Sequence, residues 1–197
     1  HPRVRRQRQM CIRDRDYTVL YINMQEYSGM DKMFDTDFGA NLSDLMYFYK
    51  QSPESMAVKL KAVTYSAEGF DYIPPLVYSC DLRNIDTGQW LQFIQNIAEL
   101  TEYDKIIIEF GQVLNNPMIL LESCNRIFVP VSNDWMNQCK KKEWEEYLLR
   151  TGYEEILDRT EMLQVPQIRQ WSSLDEYREC YLWGEPGDYI RQVLGGL

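Results

Sequence analysis

The sequence predicts an α/β fold built on a mainly parallel sheet, and three observations support this prediction. Short runs of β-branched and aromatic residues alternate with longer segments in which apolar residues recur at helical spacing. The run Ile106–Ile108 is too short for a helix, and its continuous apolar character is typical of a parallel strand buried on both faces. The segments between the predicted strands are long enough to hold crossover helices. We therefore expect three layers, with helices on both faces of one sheet.

The first predicted elements are two strands and the helix between them. A β-branched and aromatic run over residues 17–23 predicts a strand that ends in the polar residue Asn23. Asn41 or Ser43 is expected to cap the helix that follows, since both residue types are favoured at the N-cap. A short strand over residues 70–75 is closed by two prolines.

The next predicted helix starts at Asp86 or Thr87 and ends before the isoleucine strand. Its apolar residues are expected on one face: Trp90, Leu91, Ile94, Ile97 and Ala98. After the isoleucine strand, Asn116 and Pro117 predict the start of another helix, with proline at the first helical position.

The last clear predictions are a strand and a long helix. Residues 126–131 form an apolar run that is typical of a buried strand. Asn133 or Asp134 is expected to cap a charged helix that ends near Gly152. No internal repeat or low-complexity stretch interrupts residues 16–197, which we interpret as a single domain.

Composition excludes several classes of protein. The chain has 197 residues, a hydrophobic content of 45% and a net charge of −9, so one sizeable core is expected and nonspecific binding to nucleic acid is disfavoured. The five cysteines are scattered and never form a C-x-x-C pair, which argues against disulfides or zinc and favours a cytoplasmic location. Because His1 is the only histidine, histidine-dependent nucleophilic catalysis is excluded. No apolar run is long enough to span a membrane.

Residues 1–15 differ in composition from the rest of the chain. They contain six arginines and no hydrophobic periodicity. A basic arm that binds nucleic acid or anionic lipid is one interpretation. The segment also resembles sequence read through from the broken end of an assembled gene. We therefore expect a non-native or disordered tail.

Five segments, in this order, resemble the MinD/ParA-type P-loop ATPases, including the pilus-localisation (TadZ/CpaE-like) branch. The segments are Val19–Asn23, Gly39–Leu45, Gly69–Pro75, Tyr103–Gly111 and Cys124–Val131. The fourth is similar to the strand that carries the Walker B position of that family. The resemblance implies a P-loop NTPase-like, Rossmann-like three-layer domain that uses ATP and Mg²⁺ in the intact protein.

The glycine-rich phosphate loop of that family is absent from the sequence. It would lie immediately before Val19, so the resemblance predicts a partial domain that lacks its first βα unit and is N-terminally truncated. A natural pseudo-ATPase is the alternative. In the resembling fold we expect the P-loop strand between the strands that end at Asn23 and Glu109. Without it, those two strands either pair directly or leave a gap.

The resemblance also suggests site residues. Glu109 is the candidate catalytic residue and the candidate ligand of a Mg²⁺-bound water. Asn23, Gly111 and Asn133 are the candidate nucleotide-binding residues. The family has aspartates where this chain has Asn23 and Glu109. Because an amide cannot act as a base, efficient hydrolysis is in doubt, and whether the chain is an enzyme stays open.

Two functions are therefore predicted. The first is a fragment of a cytoplasmic MinD/ParA-like nucleotide-binding ATPase that positions a cell-surface, pilus or division machine. Its partners would be a second copy across the nucleotide face and proteins of an envelope-associated machine, with peripheral membrane contact at most. The second is a non-catalytic interaction module on the same scaffold.

Overall fold

The computed structural model describes residues 17–34, 36–67, 69–111, 114–164, 166 and 173–195. The predictions for residues 1–15 lie outside these residues. The chain divides into two compact units, the first ending at Leu120 and the second beginning at Leu121. The interpretation of residues 16–197 as a single domain stays a prediction.

The first unit contains four strands and most of the buried apolar residues. Its strands are β1 (Val19–Met24), β2 (Tyr65–Ala67), β3 (Phe70–Ile73) and β4 (Lys105–Phe110). Its helices are α1 (Met30–Phe34), α2 (Leu42–Gln51), α3 (Met56–Val63), α4 (Ser79–Asn84) and α5 (Thr87–Leu100), and a 3₁₀ turn covers Pro53–Ser55. Helix α6 (Met118–Ser123) crosses the boundary between the units.

The sheet of the first unit has the order β2-β3-β1-β4. Strands β3, β1 and β4 are parallel, and β2 forms an antiparallel hairpin with β3. Gly69 in this hairpin has a φ of +101°, a conformation that L side chains rarely adopt. The sheet is therefore dominated by parallel pairing, which confirms the predicted α/β class.

Strands β1 and β4 pair directly along their whole length. The register runs from Val19 opposite Lys105 to Met24 opposite Phe110. Of the two alternatives expected for a chain without the P-loop strand, direct pairing is therefore the one observed, and no gap separates these strands. Strand β1 is paired with β3 on its other side. Among the described strands, β4 therefore lies at the edge of the sheet.

One face of this sheet forms the core. Leu20, Ile22 and Met24 alternate along β1 towards α2, α3 and α5, and each is fully buried. Helix α5 buries four large apolar residues against them: Trp90, Phe93, Ile94 and Ile97. The expected apolar face is partly wrong, because Phe93 belongs to it and Ala98 is exposed. Ala98 lies about 80° from Trp90 around the helix, outside the buried stripe.

The opposite face of the sheet is only partly covered. The rings of Phe34, Phe38 and Tyr65 surround Tyr72 over the β2–β3 side. On β4 the exposed residues alternate with half-buried ones, and Ile107 is 45% exposed. The prediction that the isoleucine strand is buried on both faces is therefore wrong, since a continuous apolar run specifies a strand but not what covers it.

The second unit contains a two-stranded parallel sheet of β5 (Ile127–Pro130) and β6 (Thr160–Leu163). Its helices are α7 (Trp135–Thr151), α8 (Glu154–Asp158), α9 (Leu174–Trp183) and α10 (Glu185–Gly195). No helix in the described part of the chain is long and apolar enough to cross a membrane.

Most of the predicted helix ends are confirmed. Asn41 caps α2, Asp86 caps α5, and Asp134 caps α7, which ends at Gly152 with a φ of +83°. The expected helix start at Asn116 and Pro117 is wrong. Asn116 has a φ of +58°, whereas an N-cap residue is normally extended, and α6 begins at Met118.

Candidate functional site at the carboxyl ends of β1 and β4

The candidate site lies where two neighbouring parallel strands end. Asn23 on β1 is directly opposite Glu109 on β4, and Tyr21 stands two residues earlier on the same face as Asn23. Asn23 is 2% exposed, whereas Glu109 is exposed. The carboxyl ends of the strands in an open α/β sheet are the usual position of a ligand site.

Both carboxylate oxygens of Glu109 accept hydrogen bonds from uncharged side chains. The Tyr21 hydroxyl donates to Oε2, and the Gln25 side-chain amide donates to Oε1 at 2.8 Å. The Asn23 amide also lies 3.4 Å from Oε2. The Glu109 carboxylate is therefore held in one position by three neutral donors.

The Asn23 amide has both a donor and an acceptor role in this cluster. Its Nδ2 donates to the Tyr21 hydroxyl at 2.8 Å, and its Oδ1 accepts from the backbone N–H of Gln25 at 2.9 Å. An aspartate here would place a second carboxylate oxygen about 3.4 Å from Glu109 and would lose the donor. Asparagine beside glutamate is thus the electrostatically compatible pair at this strand end.

Tyr21 is held in its protonated form by its surroundings. Burial of the phenol, its hydrogen bond to Glu109 and the charge of that carboxylate raise the pKa of Tyr21 above its ordinary value. The hydroxyl is consequently a permanent donor to Glu109 at physiological pH.

The structure brings only some of the predicted site residues together. Asn23 and Glu109 are in contact, and Gly111 follows β4 closely in sequence. A Cβ added to Gly111 would meet nothing within 4 Å, so packing does not require glycine there. Asn133 lies in the second unit, after β5, where its side-chain amide donates to Gln164 at 3.4 Å.

Tyr21 and Gln25 are site residues that were not predicted from the sequence. Tyr21 could have been found, because a residue two positions before Asn23 on a strand must share its face. Gln25 lies beyond the last residue of β1, and its direction depends on the turn of the backbone there. That turn has no clear signal in the sequence.

The residues of this site do not by themselves fit a resident Mg²⁺ ion. Mg²⁺ requires near-octahedral oxygen coordination, and the site supplies one carboxylate whose two oxygens already accept hydrogen bonds. Among the described residues, no group of three or more His, Cys, Asp or Glu side chains could hold a metal ion.

The fold is similar to those of a ParA family ATPase, a putative plasmid partition protein and a cell division protein complex. A ParA family ATPase from Chlorobium tepidum TLS matches with a TM-score of 0.63 and 16% identity, over 95% of this chain and 72% of that chain. A putative plasmid partition protein from Borrelia burgdorferi B31, bound to AMPPNP, matches with a TM-score of 0.59 and 10% identity, over 98% and 93%. The MinC:MinD cell division protein complex of Aquifex aeolicus matches with a TM-score of 0.57 and 11% identity, over 95% of this chain and 69% of that chain.

No protein-family model matches the chain, and no curated protein sequence matches it. At these low identities the structural matches establish the fold alone: the chain has the α/β fold of these ParA, partition and MinD proteins. The resemblance inferred from the five sequence segments is confirmed at this level.

Proposed function

We propose that this chain is part of a cytoplasmic, nucleotide-dependent protein of the ParA/MinD type that positions a cell-surface, pilus or division machine. The observation that carries the proposal is the contact between Asn23 and Glu109 at adjoining carboxyl ends of two parallel strands. That edge is where open α/β folds bind their ligands, and one protein of similar fold binds AMPPNP. ATP and Mg²⁺ are the proposed cofactors of the intact protein.

Protein partners are the second part of the proposal. One solved protein of similar fold is MinD in complex with MinC. By analogy with that complex, we propose that the intact protein binds proteins of an envelope-associated machine and a second copy of itself through the nucleotide face.

The chain alone is expected to bind ATP-Mg²⁺ weakly. Its sequence contains no glycine-rich loop with a lysine, and such a loop supplies most of the phosphate contacts in P-loop proteins. Calorimetric titration of the 197-residue chain with ATP-Mg²⁺ tests this expectation. Micromolar affinity would show that the chain suffices for binding without such a loop and would contradict the expectation.

Glu109 distinguishes the ATPase from the alternative. In a longer gene product that contains a phosphate loop, Glu109→Gln should reduce hydrolysis by about tenfold or more, equivalent to about 1.4 kcal/mol of barrier. Glu109→Asp should retain or raise activity, because it keeps the charge. Steady-state phosphate release measures both effects. Glu99→Gln, an exposed change on α5, is the matched control and should have no effect.

The second candidate is a non-catalytic interaction module on the same scaffold. It is favoured by the hydrogen bonds from Tyr21 and Gln25, which give both oxygens of the Glu109 carboxylate a structural role. If Glu109→Gln and Glu109→Asp both leave turnover and nucleotide affinity unchanged, the Glu109 carboxylate has a structural role only. The module would then be preferred over the ATPase.

A further inference from the structure

The first unit has a groove at the end of its sheet opposite Glu109. The groove has a volume of about 640 Å³, which is within the range of small-molecule sites. It lies at the amino ends of β1 and β4, beside α3 and the last turn of α5. Lys105 and Glu109 are separated by roughly 13 Å along β4, so the groove is distinct from the candidate site.

Threonine hydroxyl groups line this groove, and each already donates its proton in a hydrogen bond to a neighbouring oxygen. Thr64 donates to the Leu60 carbonyl, and Thr101 donates to the Ile97 carbonyl. The one proton of the Thr18 hydroxyl is shared between the Glu102 carbonyl and the Asp104 carboxylate, and the same hydroxyl accepts from the Asp104 N–H. A hydroxyl that donates its one proton keeps its lone pairs as acceptors. These three threonines therefore contribute acceptor oxygens to the groove.

Asp71 adds a carboxylate to the same wall. Its Oδ1 accepts from the Ser66 hydroxyl at 2.6 Å, and its Oδ2 accepts from the Tyr103 hydroxyl at 2.8 Å. A carboxylate can accept about four hydrogen bonds, so acceptor capacity remains after these two. Burial and the bond to Asp71 raise the pKa of Tyr103 to about 12, which keeps Tyr103 a donor to the carboxylate.

The charges and the apolar walls of the groove complete its chemical character. Asp71 and Glu102 are its acidic side chains, and among the described lining residues Lys61 alone carries a positive charge. Ala57, which is half-buried, and Leu100, which is exposed, provide apolar surface next to these polar groups. The groove thus combines excess acceptors, a net negative charge and an apolar wall.

We propose that this groove binds the cationic head of an alkyl-guanidinium or alkyl-ammonium group, with Asp71 as the main ligand. The planar guanidinium group has five N–H donors and no acceptor, which complements an acceptor-lined pocket. The alkyl stem lies against Ala57 and Leu100, as cationic side chains do on apolar surfaces. The group belongs either to a free small molecule or to a basic side chain of a protein partner. The proposal does not depend on the proposed function.

The test is a calorimetric or NMR titration of the 197-residue chain with butylguanidinium chloride and with N-butylurea, its neutral isostere. We expect saturable binding of butylguanidinium and binding of N-butylurea that is weaker by about tenfold or more, because charge-assisted hydrogen bonds are lost. Equal binding of the two compounds, or no saturable binding of butylguanidinium, would overturn the proposal.

Matched variants locate the site. Asp71→Asn should weaken butylguanidinium binding by about tenfold or more, whereas Asp37→Asn, an exposed change of the same charge, should leave it unchanged. Lys61→Gln should strengthen binding by about threefold, since it removes a like charge from the rim. Lys50→Gln on α2 is the control for that change and should have no effect.

Asp71→Asn also removes a structural acceptor for Ser66 and Tyr103. If that variant loses its thermal unfolding transition, the opposite effects of Lys61→Gln and Glu102→Gln decide. Tighter binding of butylguanidinium by Lys61→Gln and weaker binding by Glu102→Gln support the proposal. Unchanged binding in both variants overturns it.

The peptide acetyl-Gly-Arg-Gly-amide distinguishes the two sources of the cation. Binding comparable to that of butylguanidinium assigns the groove to a basic side chain of a partner. Binding of butylguanidinium without binding of the peptide assigns it to a free small cation.

Discussion

Helices α5 and α7 are both long, but they are stabilised in different ways. Helix α5 has 14 residues and buries four large apolar side chains together with Thr87. Helix α7 has 17 residues, and Leu148 is its one buried residue. Trp135, at the first position of α7, is 81% exposed.

This difference shows where the fold derives its stability. Burial of apolar surface contributes about 1.5–3 kcal/mol per large side chain, so α5 is held by the core of the first unit. Helix α7 depends on its caps at Asp134 and Gly152 and on exposed ion pairs such as Arg150–Glu146, at 3.0 Å. Exposed ion pairs contribute little. We therefore expect α7 to open locally at a lower free energy than α5.

The largest expected effect is a core truncation in α5. Phe93→Ala should lower the free energy of unfolding by about 3–5 kcal/mol, because it leaves a cavity among fully buried side chains. Trp135→Ala in α7 should change it by less than about 0.5 kcal/mol, since the ring is mostly in solvent. Urea denaturation of both variants measures the contrast. Losses of unfolding free energy of comparable size in the two variants would show that Trp135 is buried in solution. That result would contradict the contrast between α5 and α7.

A smaller and more local effect is expected from the one buried side chain of α7. Leu148→Ala should lower the free energy of opening of α7 by about 2–3 kcal/mol, whereas Leu149→Ala, next to it and 54% exposed, should leave it nearly unchanged. Amide hydrogen exchange of residues 140–150 reports this opening directly. Equal protection of these amides from exchange in the two variants would mean that α7 is stabilised by its caps and ion pairs alone.

The smallest expected effect is a pH dependence at the start of α7. The Ser132 hydroxyl and the Asn137 backbone and side chain donate to the Asp134 carboxylate and lower its pKa from 3.8 to about 2. The capping contribution is therefore fully present above the unfolded pKa, near 3.8, and is lost as the pH falls through about 2.

NMR titration of the Asn137 amide between pH 6 and pH 1.5 measures this loss, with an expected midpoint near pH 2. Asp134→Asn keeps a good N-cap residue and should abolish the titration while leaving the helix intact at pH 7. A midpoint near the ordinary value of 3.8 would show that the cap does not form in solution.

The sequence predicted those parts of the fold that depend on local signals. Asp86 and Asp134 cap their helices because a carboxylate before a helical segment satisfies the first N–H groups wherever that helix packs. Gly152 ends α7 because glycine adopts a positive φ at no steric cost. The position of Asn23 and Glu109 at strand ends followed from the same kind of local pattern.

The remaining features depend on which elements meet, and this is not encoded locally. The exposure of Ile107, the pairing of β5 with β6 and the direct pairing of β1 with β4 all depend on the chain's tertiary arrangement. The contacts of Glu109 with Tyr21 and Gln25 join residues more than 80 positions apart.

The sequence by itself therefore determined the α/β class, most of the helix ends and the polar strand ends, because hydrophobic periodicity and capping act over a few residues. Only the tertiary structure decided which face of β4 is open, what holds the Glu109 carboxylate and where the groove around Asp71 lies. Those features depend on the burial and hydrogen-bond partners that distant segments supply when strands and helices pack together.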